Sequence, residues 1–221
     1  MKKNYLDKVQ SILFDMDGVI VDSMIHHAQS WQSVLSEYGI EINENDIYKR
    51  EGMTGLKSVK EIFYDYNKVI PQDIEINKLI EKKHKIFEKL EIKIFPQILQ
   101  LLTLLKKENK SIALVTGSLK RSVDYMLPEK IISYFDIIVT ADDVDRGKPD
   151  PEPYERAMEG LSASSNNSLV IENAPMGILS AKNANLCCFA IETTLPVEYL
   201  KSADLIFKNH TDLYDYIKRN I

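Results

Sequence analysis

Residues 11–23 read SILFDMDGVIVDS and contain the features that decide the fold. An apolar run ends at Phe14, Asp15 and Asp17 follow it, and Gly18 stands where the chain must turn. A short continuous apolar run is typical of a strand buried on both faces of a parallel sheet. Ligands of such sheets bind beyond the carboxyl ends of the strands. The two aspartates are therefore candidates for a nucleophile, an acid or cation ligands, although aspartate is also common in turns.

Short apolar, β-branched runs of this kind recur along the chain and predict further strands. Helical periodicity separates them, with apolar residues on one stripe of each segment. Strands that alternate with helices indicate βα units, so we predict an α/β fold with a doubly wound, Rossmann-like parallel sheet. The predicted strands are 9–14, 111–115, 136–140, 168–171, 187–191 and, more weakly, 204–207, and the helices between them are 97–107, 152–161 and 174–184.

One region interrupts the alternation. Residues 26–90 contain no convincing strand but show helical spacing at 29–38, 56–66 and 74–90. A connection of about 65 residues is too long for an ordinary crossover between two strands. We therefore predict an inserted all-helical domain at residues 22–93, with residues 1–21 and 94–221 forming the core. The aromatic residues of the insertion are expected in its own hydrophobic core, namely Trp31, Phe63, Tyr64 and Tyr66.

Composition limits the classes of function. The chain has 221 residues, 44% of them hydrophobic and 28% charged, which is ordinary for a soluble globular protein. Its formal net charge of −5 argues against a nucleic-acid partner. No run approaches the length of a membrane span, and no apolar segment follows the first lysines as in a signal peptide. We expect a cytoplasmic protein, with Cys187 and Cys188 as unbridged thiols.

Three further strand ends carry side chains that could take part in chemistry. The strand at 111–115 is followed by hydroxyls and a glycine, which could bind an anion or simply cap a helix. A loop stiffened by proline carries a lysine, and the strand at 168–171 ends in two oxygen-bearing side chains. Each feature alone has an ordinary structural explanation, but four such ends in one sheet indicate a site. The residues are Thr116, Gly117, Ser118, Lys148, Glu172 and Asn173.

These motifs together resemble a known family. In order along the chain they read FDMDG, LVTGS, GKPDP and VIENAPMGI, and they span nearly the whole sequence. The pattern is similar to that of the haloacid-dehalogenase superfamily of phosphotransferases. The helical insertion, which begins with DSMIHHAQSW, looks like the cap domain of the subgroup that contains β-phosphoglucomutases and sugar-phosphate phosphatases.

The resemblance implies a role for each residue. Asp15 would attack phosphorus and form an aspartyl-phosphate, and Asp17 would act as the acid and then the base. An acid at position 17 favours phosphoryl transfer over dehalogenation, because an alkoxide needs a proton to leave and a halide does not. The phosphoryl group would be bound by Thr116, Gly117, Ser118 and Lys148. The implied cofactor is Mg²⁺, with ligands from Asp15, the Asp17 carbonyl, Glu172 and Asn173.

The sequence departs from the family pattern at two places. The fourth motif has Asn173 where an aspartate is common, and an amide brings no charge, so a weaker metal site is expected. At His27, twelve residues after Asp15, the chain follows the pattern: both mutases and phosphatases of the subgroup carry a histidine there, so His27 does not discriminate between them. The mutases also use a cap arginine for a second phosphate, and Gly55 stands there in this chain. The cations that could replace that arginine are Arg50, Lys57 and Lys83.

We therefore expect magnesium-dependent hydrolysis of a phosphomonoester, with a sugar phosphate as the favoured substrate. A phosphosugar mutase of the β-phosphoglucomutase type is the alternative, and a ligand-binding relative without full activity is a lesser one. The expected partner is a small phosphorylated metabolite. Nucleic acid and membranes are not expected as partners, and a monomer or weak oligomer is expected.

Overall fold

The computed structural model describes residues 5–221, so the first four residues of the predicted core segment 1–21 lie outside it. Six parallel strands form one sheet in the order β5-β4-β1-β6-β7-β8, and β2 pairs with β3 in a separate antiparallel ribbon. The strands are β1 (Ser11–Phe14), β2 (Val21–Asp22), β3 (Lys93–Ile94), β4 (Ser111–Val115), β5 (Ile137–Val139), β6 (Ser168–Glu172), β7 (Cys187–Ile191) and β8 (Leu205–Phe207).

Helices cover both faces of the sheet, as a doubly wound fold requires. Along β1, Ile12 and Phe14 point into a cluster with helices α5 (Pro96–Lys107) and α10 (His210–Asn220). Leu13 points into the opposite cluster, with helices α8 (Glu152–Gly160) and α9 (Pro175–Asn183). The helices are α1 (Met24–Leu35), α2 (Glu44–Tyr48), α3 (Gly55–Asp65), α4 (Asp73–Phe87), α5 (Pro96–Lys107), α6 (Lys120–Met126), α7 (Glu129–Ile132), α8 (Glu152–Gly160), α9 (Pro175–Asn183) and α10 (His210–Asn220).

The six predicted strands of the main sheet are all present, and the predicted fold class is confirmed. Helix α5 shows why the sequence pattern predicted the helices. Proline occupies its first turn, where no intrahelical donor is lost, and two lysines stand in its last turn near the exposed carbonyls. The stripe predicted between these ends is the face buried against the sheet, made of Ile98, Leu101, Leu102 and Leu105.

The segment between β2 and β3 is helical and has a hydrophobic core of its own, built from α1 to α4. Phe63 is buried in it, and Trp31 and Tyr66 pack against it, as predicted. The prediction for Tyr64 was wrong, because this side chain is 74% exposed. Successive residues of a helix differ in direction by about 100°, so burial of Phe63 turns Tyr64 towards solvent.

Two further expectations from the sequence concern the cysteines and membrane-spanning helices. Cys187 is half-buried and Cys188 is buried, and both are thiols, as predicted. No helix between residues 5 and 221 has the length and apolar character needed to cross a membrane.

Candidate active site

The strand order brings the predicted site residues to one edge of the sheet. Strand β1 lies between β4 and β6, and Phe14 pairs with Leu114 on one side and Ile171 on the other. The chain therefore leaves all three strands at the same level, and the main-chain N–H of Asp15 donates to Ile171 at 3.0 Å. Side chains that follow these strands converge beyond their carboxyl ends.

Lys148 is the centre of the first cluster. Its ammonium lies 2.6 Å from Oδ1 of Asp15, 2.8 Å from Oε1 of Glu172 and 3.2 Å from the carbonyl oxygen of Val115. Burial alone would lower the pKa of Lys148, but Asp15 and Glu172 raise it above the ordinary value of a lysine. The side chain is only 1% exposed, so a charged ammonium is held between two buried carboxyl groups.

Glu172 is fixed in place by four donors. Its Oε1 accepts from Lys148 and, at 3.0 Å, from the hydroxyl of Tyr154. Its Oε2 accepts from the main-chain N–H groups of Asn173 and Ala174, at 2.8 and 3.0 Å. Glu172 thus supports Lys148 in this structure. Each carboxylate oxygen of Glu172 already accepts two hydrogen bonds in this arrangement, and no contact tests its expected role as a metal ligand. That role stays a prediction.

Helix α9 makes room for this carboxylate with a glycine. A Cβ atom on Gly177 would lie 1.6 Å from Oε1 of Glu172, which is far inside van der Waals contact. Glu172 is 1% exposed, so its carboxylate has no solvent-facing position to move to without leaving its partners. A residue without a side chain is therefore required at position 177.

Two buried oxygens near this cluster have no hydrogen-bond partner within the described residues, namely Oδ2 of Asp15 and Oδ1 of Asn173. The Asn173 amide nitrogen lies 3.3 Å from the hydroxyl of Thr194, and it packs so closely on Gly18 that a Cβ there would lie 2.1 Å away. Burial, together with Glu172 and Asp17, raises the pKa of Asp15 against the opposing effect of Lys148. Unpaired buried oxygens of this kind call for a partner.

Asp17 is the centre of the second cluster. Its Oδ1 accepts from the hydroxyl of Ser23 at 2.5 Å and lies 2.9 Å from Nε2 of His27. Its Oδ2 accepts from the hydroxyls of Ser118 at 3.0 Å and Thr116 at 3.5 Å. Burial alone would raise the pKa of Asp17, but His27 and the hydroxyl donors lower it to about 2. In this geometry Asp17 is an ionised carboxylate.

Lys83 determines which nitrogen of His27 carries the proton. Its ammonium lies 2.7 Å from Nδ1 of His27, and an ammonium can only donate. Nδ1 is therefore the acceptor, and Nε2 of the neutral ring carries the hydrogen that points at Asp17. Burial lowers the pKa of Lys83 to about 8. Phe87 stacks on the imidazole with a centroid separation of 4.3 Å and holds its plane.

The loop between α2 and α3 covers the site. Gly52 has a φ of +84°, and a Cβ there would lie 2.7 Å from Cδ of Lys148. A Cβ on Gly117 would lie 2.8 Å from the carbonyl oxygen of Gly52. The helical insertion therefore touches both the lysine and the loop after β4. Next to this contact is a cavity of about 350 Å³, bordered by His27, Gly117 and Ser118 and by the insertion.

The structure brings together nearly all the predicted site residues, including the two from the insertion. Thr116 and Ser118 do not cap helix α6, whose N-cap is Leu119; their hydroxyls face Asp17 instead. Of the proposed substitutes for the cap arginine, Arg50 donates to the carbonyl of Asp46 and to Asp65, and Lys57 is exposed outside the cavity. Only Lys83 reaches the site. The residues assembled are Asp15, Asp17, His27, Lys83, Thr116, Gly117, Ser118, Lys148, Glu172 and Asn173.

Sequence reasoning missed three members of the site. Ser23 was not among the candidates, although its position at the start of the insertion, close in sequence to Asp17, was a usable signal. Tyr154 and Glu51 had no signal, because their placement depends on how α8 and the loop after α2 pack on the core. Glu51 lines the cavity, and Tyr154 is fully buried against Glu172.

Fold and site together define a phosphoryl-transferring enzyme built on a doubly wound sheet with a helical cap. A model of the family described as haloacid dehalogenase-like hydrolase matches residues 12–191. The chain therefore belongs to this family, and the predicted resemblance is confirmed.

Several known proteins are similar to the chain over most of its length. Validoxylamine A 7'-phosphate phosphatase of Streptomyces hygroscopicus subsp. limoneus is 27% identical, across 91% of this chain and 94% of that protein. β-Phosphoglucomutase of Bacillus subtilis is 26% identical, across 93% of this chain and 92% of that protein. The crystal structure of β-phosphoglucomutase from Clostridium difficile superposes with a TM-score of 0.85 at 27% identity, covering 96% of each chain.

Gly177→Ala should separate the role of Glu172 from general stability. The new methyl group displaces the Glu172 carboxylate, and Lys148 then loses one of its two anionic partners. A displacement of about 1 Å in such a site lowers turnover by about 100-fold, so kcat/KM for a phosphate ester should fall by that order.

The matched control for this variant is Leu179→Ala on the same helix, where the side chain is 41% exposed. It should leave kcat/KM within about twofold of the unaltered protein, since it touches no site residue. Both variants are compared by steady-state kinetics and thermal unfolding. Unchanged kinetics for Gly177→Ala would contradict the positioning role of Glu172.

Proposed function

We propose that this protein is a magnesium-dependent phosphatase that hydrolyses a small phosphomonoester, with a sugar phosphate as the favoured substrate, through an aspartyl-phosphate on Asp15. The observation that carries the proposal is the presence of two neighbouring aspartates in different environments. Asp15 is oriented by Lys148 and keeps Oδ2 without a partner, and Asp17 is hydrogen-bonded to His27. Two carboxyl groups in distinct environments are typical of a nucleophile next to an acid–base group.

The proposed reaction has two steps. A carboxylate oxygen of Asp15 attacks phosphorus, and the bond to the ester oxygen breaks. That oxygen takes a proton that Asp17 relays from Nε2 of His27, while Nδ1 of His27 takes one from the Lys83 ammonium. Asp17 then removes a proton from a water molecule and passes it back along the same chain to Lys83, the water attacks phosphorus, and phosphate leaves with Asp15 regenerated. The hydroxyls of Ser23 and Ser118 and the imidazole of His27 hold the Asp17 carboxylate in one orientation for both proton transfers.

The phosphoryl group requires charge stabilisation more than covalent help. Lys148 is charged, buried and already beside the nucleophile, so it is placed to neutralise the transferring oxygens. Thr116, Gly117 and Ser118 follow β4 at the same edge of the sheet and would supply hydroxyl and main-chain donors. These four residues form the proposed phosphate-binding set.

A divalent cation fits the donors that the site leaves unused. Asp15 and Glu172 share one ammonium, and the nearby carboxylate of Asp17 adds negative charge that acts on Asp15. Within residues 5–221, no three histidine, cysteine or acidic side chains are grouped so that they could hold a metal by themselves. We propose Oδ2 of Asp15, Oδ1 of Asn173 and the main-chain carbonyl of Asp17 as ligands of Mg²⁺. The ion would supply charge that relieves repulsion between Asp15 and an anionic substrate.

A phosphosugar mutase is the second candidate, since β-phosphoglucomutases are among the similar proteins. A mutase must hold a second phosphate in the cap. Arg50, the single arginine of residues 22–93, lines the cavity but is paired with Asp65 and the carbonyl of Asp46. The similarity to phosphatases, among them the phosphorylated carbohydrates phosphatase of Thermotoga maritima at 27% identity, agrees with hydrolysis.

The proposal is tested by phosphate release from a panel of sugar phosphates. Asp15→Asn should reduce turnover by at least about 1,000-fold, because the amide cannot form the covalent intermediate. EDTA should abolish activity, and Mg²⁺ should restore it. The exposed Asp215→Asn is the matched control and should behave like the unaltered protein.

Two outcomes would contradict hydrolysis through Asp15. One is full activity of Asp15→Asn, and the other is full activity in EDTA. Interconversion of glucose 1-phosphate and glucose 6-phosphate, dependent on added glucose 1,6-bisphosphate and faster than phosphate release, would identify the mutase instead.

Substitutions at Asn173 test the proposed metal site. Asn173→Ala removes a buried oxygen that has no partner in the described structure, so the half-saturating Mg²⁺ concentration should rise at least about tenfold. Asn173→Asp adds a charge to the same position and should lower that concentration. Mg²⁺ titration by activity and by the rise in Tm measures both effects, with the exposed Asn166→Ala as control. An unchanged Mg²⁺ dependence for Asn173→Ala would exclude the residue as a ligand.

The pKa of Lys83 predicts a pH dependence. Because burial lowers it to about 8, Lys83 is charged below that pH and neutral above it. The charged form holds His27 in the tautomer that donates to Asp17, so kcat/KM should fall as the pH rises through about 8. Lys83→Gln should lower kcat/KM by about tenfold and remove this basic limb.

The control for this profile is Lys82→Gln, the next residue of α4, whose exposed ammonium pairs with Glu37. Its basic limb should coincide with that of the unaltered protein. A limb near pH 8 that persists in Lys83→Gln would assign the titration to another group.

A further inference from the structure

The loop that follows β7 lies against both the catalytic edge and the helical cap. It leaves the sheet after Ile191, at the same edge as the proposed active site. The main-chain N–H of Glu192 donates to the carbonyl of Phe207 at 2.9 Å and so ties the start of the loop to β8. Leu200, which is fully buried in the same core cluster as Leu13, ties its end. The loop is therefore anchored to the core on both sides.

Two hydroxyl groups of this loop contact the proposed active site. Thr193 donates to the main-chain carbonyl of Gly18 at 2.8 Å, and Gly18 directly follows Asp17. The hydroxyl of Thr194 accepts from the amide nitrogen of Asn173 at 3.3 Å. The amide oxygen of Asn173 has no hydrogen-bond partner in the described part of the chain. The contact with Thr194 thus leaves free the oxygen that we propose as an Mg²⁺ ligand.

The next residue, Leu195, packs into the hydrophobic core of the cap. It is 1% exposed, and every other buried member of its cluster that the structure describes comes from the insertion, among them Met24 and Ile62. Tyr199 of the same loop makes a second contact with the cap, because its ring centroid lies 5.0 Å from the ammonium of Lys49. A leucine from the core therefore completes the hydrophobic core of the cap.

Thr194 and Leu195 are consecutive, so one short segment joins the cap to Asn173. Separation of cap and core would expose the Leu195 side chain to water, and the hydrophobic effect opposes this exposure. While the cap is seated, its contact with Leu195 restrains the backbone of the loop, and the hydroxyl of Thr194 stays beside Asn173. Movement of the cap would release this restraint.

We propose that Thr194 is a positioning residue for Asn173, and that Leu195 makes this positioning depend on the contact between cap and core. The proposal rests on the proposed function, because Asn173 is a ligand of the Mg²⁺ ion proposed for that reaction. An asparagine side chain has one oxygen and one nitrogen, so only one of its two amide orientations presents an oxygen to a cation. A fixed partner for the nitrogen selects that orientation. Since such coupling is reciprocal, bound Mg²⁺ also favours the seated cap.

Binding of Mg²⁺ to the full chain without substrate tests the role of Thr194, with calorimetry and the rise in Tm as readouts. Thr194→Val keeps the shape of the side chain but removes the hydroxyl, so the Kd for Mg²⁺ should rise about tenfold. Thr194→Ser keeps the hydroxyl and should hold the Kd within about twofold of the unaltered protein. Recovery by serine distinguishes a role of the hydroxyl from a role of the side-chain volume.

Leu195→Ala tests the link to the cap. It removes the side chain that the cap buries and touches no proposed ligand, yet the Kd for Mg²⁺ should rise at least about threefold. Leu195→Val, a smaller truncation, should shift the Kd in the same direction. The matched control is Leu35→Ala, the same change in the same cluster, at the end of α1 opposite to Met24, which lies near Gly18. Its Tm should fall while its Kd stays within about twofold.

A double variant tests whether Leu195 acts through Thr194. In the Thr194→Val background, Leu195→Ala should change the Kd by less than about twofold, because both substitutions act through one hydroxyl. Fully additive effects would contradict this path.

The two proposals fail in different ways. An unchanged Kd in Thr194→Val overturns the positioning role, and equal Kd values for Leu195→Ala and Leu35→Ala overturn the link to the cap, while Mg²⁺-dependent hydrolysis itself stands. Absence of Mg²⁺ binding to the unaltered protein overturns both proposals. Absence of phosphate release from every ester overturns the phosphatase alone, since the Kd values then still decide the roles of Thr194 and Leu195.

Discussion

A charged ammonium buried between two carboxyl groups is the interaction on which the catalytic edge depends. Removing water from Lys148, Asp15 and Glu172 is costly, and only close pairing with full hydrogen bonding makes the arrangement stable. The neighbouring sequence serves this pairing. Tyr154 and two main-chain N–H groups saturate Glu172, and Gly177 leaves space for it. A change at any of these positions leaves a buried charge incompletely compensated.

The two aspartates are controlled by different parts of the molecule. Asp15 is held by Lys148, from a loop of the core, so its orientation is a property of the sheet and its connections. Asp17 is held partly by His27, which is itself held by Lys83 from helix α4 of the insertion. The proposed nucleophile is therefore oriented by the core, and the hydrogen bonding of the proposed acid–base group is complete only when cap and core are together. Asp17 thus links the proposed proton transfers to the contact between cap and core.

Periodicity predicted the sheet because strands buried on both faces are continuous apolar runs, as at β4 and β6. Strands β2 and β3 were missed because two residues each carry no periodic signal. Candidate residues at strand ends were found because parallel strands present their ends at one edge. Glu51 and Tyr154 were not found from the sequence, because the placement of a loop and the packing of a helix decide where their side chains point. Tyr64 was misplaced because aromatic character does not determine which face of a helix a residue occupies.

Gly52 lies so close to Lys148 that even a methyl group would not fit between the cap loop and the lysine. With Asp15 only 3% exposed, the proposed nucleophile is shielded from bulk solvent in this arrangement. For the proposed reaction, entry of substrate and exit of phosphate therefore require a different arrangement of cap and core from the one that performs the chemistry. The proposed cycle then includes a movement of the cap as well as bond breaking. Solvent viscosity slows large segment motions but not bond breaking, so the dependence of the rate on viscosity distinguishes between the two.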